Sequence, residues 1–470
     1  MRRLLLIASF ALAAAASAQP PSDPWHARGR EIYEKAVEIP TVAGRGRMAE
    51  LVTYLRGQYE AAGIDDIRVF DHGGTQSMVI RWPAARPSGR KGILILAHMD
   101  VVEARREDWE RDPFELIEED GYFYGRGTGD NKLGVVSVTA ALLRLRAQGF
   151  RPDRDIVVLF TGDEETAQEG ADKAANEWID LTRLEFGLNA DGGGGSFLRD
   201  GTNAGFQFVT AEKVYQTFSF TARNRGGHSS RPRPDNAIYD LMRTLQRLEA
   251  HRFEPRQNET TRAYFAERAR TAEPALAAAI RRWLADPNDA GAADAIEASE
   301  TEVGLTRTRC VATRLEGGHA DNALPQRAVA TVNCRIFPGE DPAAVLATLR
   351  GLGQPSSVAV EPIEEAHPSD ASPLRQDVLQ AYTAAVRARH PGSPIVPTMA
   401  TGATDALFFR QRGLPVYGVA GGWGVIPDDA RAHGLNERVP VRAFYQSIDH
   451  WTDMIRTLAG PERRQRTRRR

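Results

Sequence analysis

The chain has 470 residues, 42% of them hydrophobic, and a formal net charge of −2, which is enough for two domains with sizeable cores. Its body is acidic once the last eight residues, RRQRTRRR, are set aside, and that excludes nucleic acid as a main partner. The arginine run at 461–470 reads as a solvated, disordered tail.

Residues 1–18 have the three parts of a secretory signal. Arg2 and Arg3 precede an apolar stretch from Leu4 to Ala16, and Ala16-Ser17-Ala18 fits a small-x-small cleavage site. The mature chain is expected to begin at Gln19, to be exported (periplasmic or secreted), and to make no stable membrane insertion. Only Cys310 and Cys334 are present, without a C-x-x-C pairing, so thiolate metal ligation is excluded. Each lies in a β-like segment; a cross-strand bridge and two buried free thiols both fit the sequence.

Amphipathic patterns predict helices over 25–38 and 48–62, then short strands over 66–70 and 77–82. Next comes GILILAHMD, 92–100, an apolar run that reads as a buried strand and stops at His98-Met99-Asp100. A histidine just beyond a strand, two residues before a carboxylate, is the usual arrangement for a metal-binding imidazole oriented by an acid. Residues 105–124 read as a loop and hairpin, and GRGTGDNK (125–132) follows. That segment resembles a phosphate-cradling loop, but the third glycine of G-x-G-x-x-G falls at Asp130 and no Gly-Lys-Ser/Thr follows. A helix over 133–147 places Asp130 in a loop at a helix N-terminus.

The strand DIVVLF (155–160) leads into Thr161-Gly162-Asp163-Glu164-Glu165. Acids after a strand also suit a helix start electrostatically. A further run, Leu184 to Asn189, ends at Asp191 before four glycines that read as a tight backbone path. From about 213 the texture changes: 214–224 alternates like an exposed antiparallel strand, and Gly226-Gly227-His228-Ser229-Ser230 follows. That run misses the G-x-S-x-G elbow of serine hydrolases and lacks its strand–helix setting. A helix is predicted over 236–250, an Ala- and Arg-rich helical insertion over 258–300, strands near 304–315 and 326–336, and a helix over 342–351. The first texture then resumes: a helix over 373–389, Thr401 to Asp405 opening another, and a strand over 415–419. A glycine-rich loop holding Trp423, the run HGLNE from His433, and a helix over 440–458 complete it.

Five candidates therefore stand at loop positions of one α/β domain: His98, Asp130, Glu165, Asp191 and His433. Carboxylates with imidazoles and no thiolate suit zinc, with cobalt or manganese as substitutes. Five ligands exceed the need of one open catalytic zinc and suit two cations sharing one carboxylate.

The ordered set HMD, GRGTGDNK, TGDEE (161–165), NADGG (189–193), RGGHSS (225–230) and His433 resembles metallopeptidase family twenty, the co-catalytic zinc carboxypeptidases, aminoacylases and desuccinylases, over roughly residues 25–460. The resemblance implies a zinc-exopeptidase-like catalytic domain, residues 19–212 and 361–460, with a mixed, mostly parallel sheet flanked by helices. It implies an inserted α+β lid and dimerisation domain, 213–360, which carries the 258–300 insertion. Carried over, His98, Asp130 and Asp191 hold one Zn²⁺; Asp130, Glu165 and His433 hold the other. Asp100 orients His98, and Glu164 is the general base toward a water between the metals. His228, often from a partner subunit, stabilises the oxyanion, and Asn322, Arg335, Gly402 and Thr404 contact substrate. The expected substrate carries a free carboxylate gripped by Arg335; a plain surface charge on a strand is the alternative for that arginine. The expected activity is an exopeptidase of the carboxypeptidase or dipeptidase kind, with N-acyl-amino-acid hydrolysis as the alternative. A non-catalytic metal- or peptide-binding relative is the remote third reading, and it would have lost Glu164 or a ligand. The insertion either blocks the family's dimer or lets one chain imitate two.

Overall fold

The computed structural model describes residues 23–86 and 88–461. The signal stretch 1–18 and the tail beyond residue 461 lie outside the described residues. Apolar runs build an eight-stranded mixed sheet in the order Asp66–His72, Thr75–Trp82, Ile156–Thr161, Gly92–His98, Leu184–Phe197, Val416–Val425, Asn203–Glu212, Ile395–Ala400. Its middle is parallel: Gly92–His98 pairs in parallel with Ile156–Thr161 on one side and Leu184–Phe197 on the other. All seven residues of Gly92–His98 are buried, as a parallel strand covered on both faces requires. One face is covered by the helices Pro24–Glu38, Lys132–Ala147 and Val441–Ala459, whose Tyr33, Val138, Phe444, Ile448 and Trp451 join Ile93 and Ile95 in the core. No helix among the described residues is long and apolar enough to cross a membrane.

The strand from Leu184 does not stop at Asn189. It runs through Asp191 and all four glycines to Phe197. Neighbouring chains pass too close for side chains here: a Cβ on Gly193 would lie 2.8 Å from the Gly418 carbonyl oxygen, and one on Gly195 would lie 2.4 Å from the Phe206 ring. The glycines after Val419 likewise belong to one strand, Val416–Val425, and not to a loop around Trp423. Two further strands, Asn203–Glu212 and Ile395–Ala400, are absent from the sequence reading. Pro397 interrupts the second pattern, and it is tolerated because that strand lies at the sheet edge.

A four-stranded antiparallel sheet, in the order Arg309–Gly317, Arg327–Ile336, Val214–Arg223, Ala359–Pro362, stands apart from the first. Val214–Arg223 is interior to it, not an exposed strand, and Phe218, Phe220 and Ala222 pack into a core with Ala328, Ala330, Val332, Leu241 and Leu349. The helices Ala237–Ala250 and Pro342–Gly353 cover that face. Alternation leaves Asn333 and Arg335 on the opposite face, with Arg335 in register with Tyr215.

The 258–300 stretch is helical as predicted: Glu259–Thr271, Pro274–Ala285 and Ala290–Glu297. Phe265, Ile280 and Trp283 centre its core, and they pack with Ala211 and Met399 of the eight-stranded sheet. The insertion thus docks on the last two strands of that sheet.

Cys310 and Cys334 face each other in register and are bonded, with Cα atoms 4.1 Å apart and a sequence separation of 24. Removing the bridge by Cys310→Ser is expected to lower the unfolding free energy by about 2–4 kcal/mol, read by denaturant titration. Thiol labelling of the unreduced, unfolded protein should find no free cysteine.

Candidate metal centre and active site

Three adjacent parallel strands bring the first candidates together. His98 ends Gly92–His98, Glu164 and Glu165 follow Ile156–Thr161 beside it, and Asp191 lies within Leu184–Phe197 on its other side. Adjacent parallel strands end at the same sheet edge, so loops remote in sequence open on one crevice. Asp130 enters from the turn before Lys132–Ala147, and His433 from the loop before Val441–Ala459.

Asp130 sits at the centre. Its Oδ1 is 2.9 Å from His98 Nε2, and its Oδ2 is 3.2 Å from His433 Nε2. His433 Nε2 also lies 2.9 Å from Glu165 Oε2, and Asp191 Oδ1 lies 3.9 Å from His98 Nε2. Ligand atoms of His98, Asp130 and Asp191 lie within 4.8 Å of one another, and so do those of Asp130, Glu165 and His433. These are the two triplets expected from the sequence. The far nitrogen of His98, Nδ1, is 3.0 Å from the Asp100 carbonyl oxygen and 3.4 Å from its carboxylate. Asp100 does more than orient His98: its two oxygens accept from the amides of Glu164, at 3.2 Å, and Glu165, at 3.0 Å, and so fix the turn that carries both glutamates.

The electrostatics describe a site short of positive charge. Burial pushes the carboxyls of Glu164 and Asp405 well above the usual range, lifts Glu165, and brings Asp191 up to about 7. Burial also opposes ionisation of Asp130, but the hydrogen bonds from His433 and His98 outweigh it and hold that carboxyl low. The partner imidazoles rise: hydrogen bonding to Asp130 lifts His433 to about 9, and His98 rises against its burial through Asp100 and Asp130. Among the described residues no lysine or arginine ion-pairs with Asp130, Glu164, Glu165 or Asp191. Another acid–imidazole group, Asp23, His26 and Asp449, shows the contrast. There Arg144 stands 2.7 Å from Asp449 and 3.0 Å from Asp23, so the chain supplies its own cation. At the Asp130 cluster, among the described residues, it does not, and the donor set of three carboxylates and two imidazoles, with Asp130 common to both triplets, fits a pair of divalent cations.

Residues outside the sequence-stated set complete the frame. Asn131 donates to the Ala190 carbonyl and to Asp191 Oδ1, at 3.2 and 3.3 Å. Gln168 donates to Glu164 Oε1 at 3.0 Å. Glu437 is buried and accepts from three amides of the Asp130 turn. It stands four residues after His433, and an acid so close behind a candidate ligand was the available signal.

The remaining sequence candidates stand elsewhere. Arg335 is half-buried on the smaller sheet, 4.6 Å over the Tyr215 ring, donating to Thr401 O at 3.0 Å and to Asn333 Oδ1 at 3.2 Å. His228 and Asn322 come together on a two-stranded ribbon in which His228 pairs with Ala323. The Ser229 amide donates to Asn322 O at 2.9 Å, and both His228 and Asn322 are exposed. Gly402 is exposed with open space about its Cα. The Thr404 hydroxyl donates to Glu212 at 2.7 Å and accepts from Asn189 at 3.0 Å, and so braces the Asp191 strand.

A family model described as Peptidase family M20/M25/M40 matches residues 94–457. The sequence is 28% identical over 374 residues to the N-fatty-acyl-amino acid synthase/hydrolase of Xenopus tropicalis, covering 77% of this chain and 71% of that protein. It is 25% identical over 439 residues to Aminoacylase-1 of Mus musculus, covering 91% and 95%. The fold matches that of a metallo-carboxypeptidase from Sulfolobus solfataricus with a TM-score of 0.68 at 18% identity, over 91% of this chain and 98% of that one.

The metal-free protein is expected to lose stability as pH rises. Asp191 keeps its proton in the folded state up to about 7 and releases it near 3.8 when unfolded; His433 holds its proton to about 9 against 6.5. Between those limits the folded state binds more protons, so its stability falls with rising pH. Divalent cations, which need deprotonated ligands, should stabilise more at high pH. Melting curves at pH 5, 7 and 9, with cation and with chelator, read both trends.

Proposed function

The chain belongs to peptidase family M20/M25/M40, and on that premise we propose that it is a di-zinc hydrolase of amide bonds acting on small substrates with a free carboxylate. The observation that carries this reading is the division of one carboxylate: the two oxygens of Asp130 go one to each imidazole, where among the described residues no lysine or arginine ion-pairs with Asp130, Glu164, Glu165 or Asp191. His98, Asp130 and Asp191 would hold one cation, and Asp130, Glu165 and His433 the other. A divalent pair there supplies Lewis acidity, polarising the scissile carbonyl and acidifying a water.

The chain's own groups do the rest. Glu164 lies next to a ligand and is held by Gln168. From that position it would take the water's proton and pass it to the leaving nitrogen. Arg335 has no carboxylate partner among the described residues and would pair bidentately with the substrate's free carboxylate. His228 would donate to the carbonyl oxygen as charge develops there, with Asn322 beside it contacting substrate. Gly402, on the open loop from Thr401, adds a surface along which substrate can lie. The smaller sheet and its helices, 213–360, act in this reading as a lid over the crevice.

Two substrate classes share this machinery. The fold match favours peptides, since that neighbour is a carboxypeptidase, whereas the two curated relatives favour N-acyl amino acids. A homodimer through the lid is supported by its edge strand, Arg309–Gly317, where Val311 and Leu315 are 61% and 65% exposed. Export is supported by the Cys310–Cys334 bridge, which belongs to an oxidising compartment.

Glu164→Gln is expected to lower kcat by about 10²–10⁴-fold while two cations remain bound, read by turnover beside elemental analysis. Full activity in that variant would remove the proton-transfer role. Arg335→Met should raise KM for dipeptides and N-acyl amino acids and leave C-terminally amidated analogues unaffected. Comparing the two classes on the zinc-loaded protein decides which is the substrate.

A further inference from the structure

The segment from Gly125 to Asp130 resembles a phosphate-cradling loop, and the structure shows what it cradles. Amides of Gly129, at 2.6 Å, and Asp130, at 3.0 Å, donate to Glu437 Oε1. The amide of Gly127, at 3.1 Å, and Arg126 Nη1, at 2.7 Å, donate to Oε2. Arg126 reaches on to the Gly434 carbonyl at 3.0 Å, and the Gly125 amide donates to the Glu437 carbonyl at 3.1 Å. The anion in this backbone nest is therefore the chain's own carboxylate, 1% exposed. Glycine is needed for the wrap: Gly127 has φ +86, and a Cβ there would lie 2.8 Å from Val101. All four groups facing the carboxylate are donors, so it accepts at both oxygens.

We propose that Glu437 is a positioning residue for Asp130, locking the turn so that the two oxygens of the shared carboxylate point to the two cation positions. This rests on the reading of Asp130 as a ligand common to both. The same short loop carries His433 and Glu437, so the outer ligand and the brace of the shared one move as a unit. Glutamine at 437 would keep the volume but turn an amide N–H₂ toward either the Gly129 and Asp130 amides or Gly127 and Arg126. One pair of donors would lose its acceptor, and the Asp130 main chain would loosen.

The test is cation binding by the full chain, without substrate. Zinc and cobalt affinities are measured by competition with a chelating dye, and melting temperatures are taken with and without cation. Glu437→Gln is expected to weaken binding 10–100-fold, the range for loss of a residue that orients a ligand. It should also shrink the cation-induced rise in melting temperature. A merely structural role would lower the metal-free melting temperature and leave that rise intact, and this result would overturn the proposal. If Glu437→Gln does not fold, Glu437→Asp keeps the charge and withdraws the oxygens by one methylene. Weakened binding is expected there too, and wild-type affinity overturns the proposal. A wild-type chain showing no cation-induced rise overturns the two-cation reading and this one with it. A normal wild-type rise retained in full by the variant overturns this one alone.

Discussion

Everything at the crevice depends on burying negative charge around one shared carboxylate. Several acids at one sheet edge repel one another and resist desolvation, and a protein tolerates that only where cations compensate. Among the described residues, the carboxyls of Glu164, Glu165 and Asp191 answer this by holding their protons more tightly, and His98 and His433 hydrogen-bond to Asp130. Beside the direct contacts of Asp130 with His98 and His433, amides hold the cluster: Asp100 ties the Glu164–Glu165 turn, Asn131 steadies Asp191, and Glu437 clamps the turn before Asp130.

That frame divides labour between the two sheets. The eight-stranded sheet contributes acids and imidazoles from neighbouring strand ends, where parallel packing leaves a crevice whatever the chemistry. The four-stranded sheet carries Arg335, while His228 and Asn322 lie on the separate two-stranded ribbon; in the proposed reading these three meet the substrate's carboxylate and carbonyl rather than a cation. The helices of 258–300 complicate this division, because Trp283 and Phe265 root them on the eight-stranded sheet while the chain on either side belongs to the smaller one.

Much of this is legible in the sequence. Gly92–His98 and Ile156–Thr161 announce themselves as buried strands because parallel strands covered on both faces are continuously apolar, and their acidic or imidazole ends follow directly. The glycine runs were misread for one reason in both places. A glycine marks a tight loop and a close strand–strand approach equally well, and only the position of Gly418 against Gly193, or Phe206 against Gly195, separates the two. The Ile395–Ala400 strand is hidden by Pro397, because a proline on an edge strand looks the same, in sequence, as one that breaks it. Nothing local in the sequence reveals that the Thr404 hydroxyl is engaged by Glu212 and Asn189.

The sequence by itself determined the inventory: an α/β chain, a family, two imidazoles and a row of acids at strand ends. These are properties of residue type and local pattern, and local pattern follows from the periods of helix and strand. Only the tertiary structure decided which oxygen of Asp130 meets which imidazole, that Asp100 and Glu437 brace turns through main-chain amides, and that Cys310 and Cys334 are joined. Main-chain donors carry no sequence signature, since every residue except proline has the same N–H. Contacts made through them, between segments hundreds of residues apart, exist only once the chain is folded.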